Sequence, residues 1–570
     1  RGIYATSGGT VYYPEIHHNN FTGNHRGVYF SAMDYGEITY NNFTTGPNID
    51  GASYGLYLDG STGYLVEENN FIEGTADAIG IIVNRSGGEP NRIYRNYFTG
   101  LKFGIIAQNN NRSVEGTGLE LKCNTYDEMQ WDKVVLYEAP FIIPEMGIAS
   151  NQGAPGSDPE NMAGNLFDDH GIPNDDFDDL LNEANHITYY WPINNNDARV
   201  KPVDYTQNTV LLDDEEIFPN DWSYEDGCPP TETGGGGGSE EELLQRIAQT
   251  NTSIDSTENL LTLLIDGGST EATQYEVETS VPPETMQVYN DLMNKSPYLS
   301  DTVVSTAIEK EDVLPGAMIR DIMVANPKTA KSEALMNKLD ERWDPLPEYM
   351  KAQILQGRSI VSIREETESK LAARKQEKAK YFNALVRFYL EDTLNPQAST
   401  DSLKSLLQQE HSLHAKYRLA MLSKEQGAWT EGLNTLNNIP GQFELSPKET
   451  GEHTQFLAIY SLLSNMAQQG QTVFEADSTT LASLMEIEES EAGKAGTYAR
   501  SILLSLDLTA YDEPILLPDL LKSARTNDEY HALMSKAGDA PGYIRIKPNP
   551  AKDYIIVEYE LEQVSDASID

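Results

Sequence analysis

Cysteine is scarce: only Cys123 and Cys228 occur in 570 residues, which excludes a disulfide-dense scaffold and any four-cysteine zinc site. One Cys123–Cys228 disulfide, which would pin the segment leaving the first domain back onto it, and two free thiols are both open on sequence grounds. Basic residues are few as well, 41 Lys and Arg against 89 Asp and Glu, for a net charge of −48. Such a chain repels phosphate backbones and anionic lipid, so neither nucleic acid nor a membrane surface is expected as a partner. No apolar run approaches the ~20 residues that cross a bilayer, so no membrane span is expected. The chain opens at Arg1 with no charged and apolar leader, which reads as a start left by signal-peptide removal or trimming.

What is present is repetition. The pattern aliphatic-x-x-Asn-x-aromatic recurs as Ile16 to Phe21, Ile38 to Phe43, Val66 to Phe71, Ile93 to Phe98 and Leu121 to Tyr126. Its asparagines, Asn19, Asn41, Asn69, Asn96 and Asn124, are spaced by 22, 28, 27 and 28 residues. Between them runs a second repeat led by glycine: Gly2-Ile-Tyr-Ala, Gly27-Val-Tyr-Phe, Gly55-Leu-Tyr-Leu, Gly80-Ile-Ile-Val and Gly104-Ile-Ile-Ala. Strand side chains alternate faces, so Ile3, Val28, Leu56, Ile81 and Ile105 form one interior column, and Ala5, Phe30, Leu58, Val83 and Ala107 another. The recurring Asn, a residue that tolerates positive φ and bonds neighbouring backbone, predicts a structural ladder with copies ~4.8 Å apart.

These repeats resemble the right-handed parallel β-helix family, the architecture of pectate lyases and many bacterial surface proteins, over roughly residues 1–150. The expected organisation is multidomain. A β-solenoid spans 1–230 with an irregular closing segment from about 150, a Gly-rich linker covers 231–239, and an all-α domain spans 240–540. Residues 541–570 form the incomplete start of a C-terminal β-sandwich. The all-α reading rests on apolar residues at three- and four-residue spacing. Within it, Tyr417 to Trp429 followed by Gly432 resembles a degenerate tetratricopeptide-like unit. Lys370, Arg374, Lys375, Lys378 and Lys380 cluster on one long helix, read either as a solvated face or as a dock for an acidic surface. At the end, Ile544-Arg-Ile-Lys, then Pro548-Asn549-Pro550-Ala551 and an alternating run through Ile555, Val557 and Tyr559, resembles the opening of a type IX secretion sorting domain. That resemblance implies the type IX machinery as a partner and release or attachment at the outer-membrane cell surface.

Chemistry is sparse. Tyr4, Tyr29 and Tyr57 stack outward on the Gly-led strands beside a polar column of Thr6, Ser31, Asp59, Asn84 and Gln108, a platform on which sugar rings can lie unless a loop or the helices cover it. Asp34, Asp59 and Asp77 are the weak catalytic candidates for a polysaccharide lyase or glycoside hydrolase, but they share no repeat column. His17 and His18 are consecutive on a strand and point to opposite faces. The run containing Asp168, Asp169, Asp175, Asp176, Asp178 and Asp179 suits calcium or a solvated acidic loop, and no cofactor is required. The leading expectation is an exported noncatalytic surface protein whose β-helix binds glycan or adheres and whose helices contact other surface proteins. A polysaccharide-degrading enzyme and an architectural subunit are the alternatives.

Overall fold

The computed structural model describes residues 1–9, 13–47, 52–74, 78–137, 143–168, 175–181, 185–231, 238–490 and 493–518, with the backbone of 544–547 and 556–559. The repeats fold as three parallel sheets. With strands numbered in chain order, sheet A holds β1 (Ile3–Thr6), β4 (Arg26–Ser31), β7 (Tyr54–Asp59), β10 (Ile79–Asn84), β13 (Phe103–Gln108) and β16 (Trp131–Leu136). Sheet B holds β2 (Glu15–His17), β5 (Glu37–Thr39), β8 (Leu65–Glu67), β11 (Asn91–Tyr94) and β14 (Leu119–Lys122). Sheet C holds β3 (Asn20–Asn24), β6 (Asn42–Thr45), β9 (Asn70–Ile72), β12 (Tyr97–Thr99) and β15 (Thr125–Asp127). Each coil gives one strand to each sheet and pairs in parallel with the next coil, which is a β-solenoid.

Side-chain alternation puts the predicted columns inside. Ile3 stands opposite Val28, Val28 opposite Leu56, Leu56 opposite Ile81, and Ile81 opposite Ile105. The aromatic of each Asn repeat also points inward, giving a stack of Phe21, Phe43, Phe71, Phe98 and Tyr126 with centroids 4.7–5.3 Å apart. The Gly-led position follows from that stack. A Cβ on Gly80 would sit 2.5 Å from the Gly104 carbonyl oxygen and 2.6 Å from the Phe98 ring, so only glycine fits.

The Asn ladder is present, with one revision to its backbone. Positive φ falls on the residue before each asparagine, at His18, Tyr40, Glu68, Arg95 and Cys123, between +52° and +59°. The asparagine stabilises that turn rather than making it. Asn69 Nδ2 donates to the Glu67 carbonyl in its own coil, to Ile38 in the coil before and to Asn96 Oδ1 in the coil after, while its Oδ1 accepts from Asn41. The ladder also runs one rung further than the repeat suggests: Asn165 Oδ1 accepts from the Asn124 backbone N–H at 3.1 Å, and Gly164 before it has φ +65°.

The stretch from about 150 thus continues the stack. Strands Asn151–Gln152, Ile187–Pro192 and Val210–Glu215 form a further parallel sheet, and Cys123 and Cys228 are joined in a disulfide beside buried Trp222.

Chain contacts define two compact units, Arg1–Ser256 with Ser369–Asp519, and Thr257–Glu368 with Leu520–Asp570. The helical run expected to follow the linker as one domain is therefore divided between them. In the first unit the helices Leu413–Glu425, Trp429–Gln442, Pro447–Gln468 and Gly493–Ser505 share a core with Ala32 and Tyr35 of the β-solenoid. The Tyr417 to Gly432 segment is a helix-turn-helix, and Gly432 is fixed by the Tyr460 hydroxyl, which a Cβ there would meet at 1.9 Å. The second unit has its own core of Val303, Ile308, Ile319, Ile322, Leu335 and Leu339. At the C-terminus Ile544–Lys547 pairs antiparallel with Ile556–Tyr559; the described residues show this pair and not a β-sandwich, and Pro548, Asn549, Pro550 and Ala551 lie outside them.

Candidate functional site

The solenoid offers three outer faces, and they differ in what covers them. On sheet A the Tyr column forms as the alternation requires: Tyr4 stacks on Tyr29 at 4.8 Å, and Tyr29 meets Tyr57 at 5.4 Å. It is not an open platform, however, because Tyr29 and Tyr57 are buried beneath Tyr511, Ile515 and Leu516. That strap, with no regular secondary structure from Leu508 to Pro518, is held by side chains of the sheet. Tyr57 Oη and Gln108 Nε2 both donate to the Pro514 carbonyl at 2.7 and 2.8 Å, and Gln108 Oε1 accepts from Leu516 N–H at 3.1 Å. Arg1 and Arg26 bind Glu513.

The carboxylates weighed for catalysis are bound within this cover. Asp59 Oδ2 accepts from Tyr29, Tyr511 and Arg500 at 2.8, 3.1 and 3.2 Å, and its Oδ1 accepts from Asn84 at 2.9 Å. Asp34 Oδ2 faces Lys494 at 2.5 Å and Arg418 at 3.3 Å, and Oδ1 accepts from Thr62 N–H. Both are buried and hold the helix Gly493–Ser505 against the solenoid. Asp77 lies outside the described residues.

The acidic run behaves similarly. Asp168 accepts from Met129 N–H, Asp176 from Val203 and Asp204 N–H, Asp178 from the Thr206 hydroxyl and Asp179 from Leu181 N–H. Burial pushes Asp176 and Asp179 up to about 7, which weakens them as calcium ligands at neutral pH. Asp169 lies outside the described residues, and Asp175 is buried beside Asp176. Among the described residues no three His, Cys, Asp or Glu side chains converge on a metal position. His17 bonds Thr39 Oγ1 at 2.7 Å; His18 is not on the strand with it as expected but just past its end at φ +53°, where its ring stacks on Tyr40.

Sheet B is roofed by the part of the long helix Ile363–Glu391 that belongs to the first unit, from Ser369 on. Gln376 Nε2 donates to the Asn91 carbonyl and Arg387 Nη1 to that of Gly63. A cleft of about 330 Å³ remains between them, lined by Arg92, Tyr94, Arg246, Lys380 and Tyr381 among others.

Sheet C is the face the described structure leaves open. Its outward columns are Asn20, Asn42, Asn70, Tyr97 and Thr125, and Thr22, Thr44, Ile72, Thr99 and Asp127. All are half-buried or exposed, with Tyr97 and Ile72 each at 37%. The asparagines form an external ladder, Asn42 Nδ2 donating to Asn20 Oδ1 and Asn70 Nδ2 to Asn42 Oδ1, both at 2.8 Å. Until Asp127 the face carries no charge. Its signal was available in the sequence, since residues flanking an inward Phe must point outward.

The fold and its faces define a parallel β-helix on which, among the described residues, sheet C presents an accessible, hydrogen-bonding side. Residues 2–119, about a fifth of the chain, match the family described as periplasmic copper-binding protein (NosD), so the solenoid is similar to that family over most of its regular coils. No curated protein and no solved structure shows significant similarity to the chain.

Proposed function

We propose that this is an exported, noncatalytic protein that holds a neutral polysaccharide along the outer face of sheet C. The observation that carries this reading is the open two-column array of Asn, Thr and Tyr side chains, repeated at the ~4.8 Å strand spacing and free of charge over four coils. A rigid array of amides and hydroxyls meets a chain of sugar hydroxyls without a large ordering cost, and Tyr97 supplies a ring face. The net charge of −48 disfavours acidic polymers. Burial of Asp34 and Asp59 in ion pairs supports a noncatalytic role over the lyase or hydrolase alternative. Export is supported by the similarity to a periplasmic family and by the Cys123–Cys228 disulfide, which favours an oxidising compartment. The Pro548-Asn-Pro-Ala segment makes the type IX route the one proposed, with the cell surface as destination and the helix pairs as contacts for other surface proteins.

Copper is no part of this proposal. In the matched segment the histidines are His17, His18 and His25, and among the described residues they form no group of three with other His, Cys, Asp or Glu side chains.

The test is retention of the whole protein on insoluble neutral glucans, with chain length of the glucan followed in parallel. Retention without shortening that falls at least tenfold in Tyr97→Ala and in Thr44→Asp/Asn70→Asp is expected. Equal retention by all three proteins, or any shortening, would overturn the reading.

A further inference from the structure

The cleft on sheet B is lined by Lys380, whose ammonium has no hydrogen-bond or ion-pair partner among the described residues. Four basic side chains line it, an unusual concentration in so acidic a chain. Arg92 is bound to Glu120 at 2.6 Å, and the Arg246 guanidinium lies 5.9 Å over the Tyr381 ring. Arg387 donates to the Gly63 carbonyl and feels the charges of Glu37 and Glu391. Of the four, Lys380 and Arg246 make neither a hydrogen bond nor an ion pair among the described residues, and Lys380 has no ring contact either; Glu67, Glu160 and Glu377 act on it through their field. Burial and the neighbouring Arg92 push its ammonium down, so the site as it stands disfavours the charge it carries.

The long helix places this group. Gln376, Lys380, Asn383, Arg387 and Glu391 recur at three- and four-residue spacing, so they lie along one stripe that faces the outward residues of β8 and β11. Tyr94 and Tyr381 line the same cleft and contribute aromatic surface to it. A volume of about 330 Å³ falls at the small end of ligand pockets. A polyanion is excluded by the overall charge, and the acids Glu37, Glu242 and Glu391 at the cleft's lining exclude a second negative group.

We infer that the cleft binds a small organic monocarboxylate, its carboxylate received by Lys380 beside Arg92 and its ring or apolar body held between Tyr94 and Tyr381. This site is separate from the sheet C face and takes a different chemical class. A sugar acid and an aromatic acid share the recognised group, and the aromatic surface accepts either.

Titration calorimetry on the whole protein with glucuronate, benzoate and glucose distinguishes them. Binding of glucuronate or benzoate, with glucose silent, is expected. Lys380→Met should weaken that binding at least tenfold, and Lys380→Arg should retain most of it. Lys378→Met is the control, because Lys378 pairs with Glu410 at 2.8 Å and does not line the cleft. Absence of carboxylate binding up to 10 mM, or an equal loss in Lys378→Met and Lys380→Met, would overturn the inference. Circular dichroism of each variant separates a lost site from a lost fold.

Discussion

Asn69 shows how one side chain serves three coils at once. Its amide donates to two carbonyls and to Asn96, and accepts from Asn41, all in a buried position. Asn69→Ala removes these bonds and leaves buried carbonyls unpaired, so roughly 3 kcal/mol of stability should be lost, measured by urea unfolding. Lys133 is the opposite kind of residue, a charge in an aliphatic column. It stands opposite Ile105, inside the solenoid, with its Nζ 4.3–4.8 Å from the ring centres of Phe167, Phe177 and Tyr189. Burial pushes its ammonium down to about 7, well below the ~10.4 of an unfolded lysine. Between those values the unfolded chain binds the proton and the folded one does not, so this residue's contribution rises with pH from about 7 to about 10.4 and is constant below. Lys133→Met should flatten that part of the stability profile relative to the parent. At pH 7 the variant should gain roughly 2 kcal/mol, less than proton linkage alone implies because the three ring contacts are lost. Thermal unfolding of both proteins at pH 7 and pH 10 checks this.

At the scale of elements, the strap over sheet A depends on side chains of the sheet for its hold. It has no backbone ladder, and Gln108 holds it at both ends of a short stretch, through Pro514 and Leu516. Gln108→Ala should speed amide exchange of Leu516 about tenfold by hydrogen-exchange mass spectrometry, the effect of one hydrogen bond of ~1.4 kcal/mol on local opening. Of the two readings of the Tyr column, a sugar platform or a covered face, the cover is the one seen. Alternation correctly placed the column on the outside, but a segment more than 400 residues away in the chain covers it.

For the whole molecule, the disulfide closes a loop of 105 residues and ties the end of the solenoid to its regular coils. Cys228→Ser should lower stability by about 4 kcal/mol through the entropy returned to the unfolded chain, read as a shift in the urea midpoint at unchanged slope. The helices beyond the linker do not stand apart from the solenoid in this first unit, since Ala32 and Tyr35 belong to their core. Solenoid, disulfide and helices are therefore expected to unfold together there.

The sequence by itself determined the coils. A period of two places Ile3, Val28 and Leu56 inside, the Phe and Asn repeats demand stacking of like on like, and the glycines mark where that stack meets backbone. Local rules suffice there because each coil touches only its neighbours. The sequence also left its signal for sheet C, in the residues that flank each Phe. Only the tertiary structure decided which outward face the described residues leave open, that Asp34 and Asp59 are buried in ion pairs with a distant helix, and that Lys380, of the five cations clustered on its helix, is the one that lines a cleft. Those outcomes depend on contacts between segments hundreds of residues apart, and no periodicity along the chain encodes what a distant segment will cover.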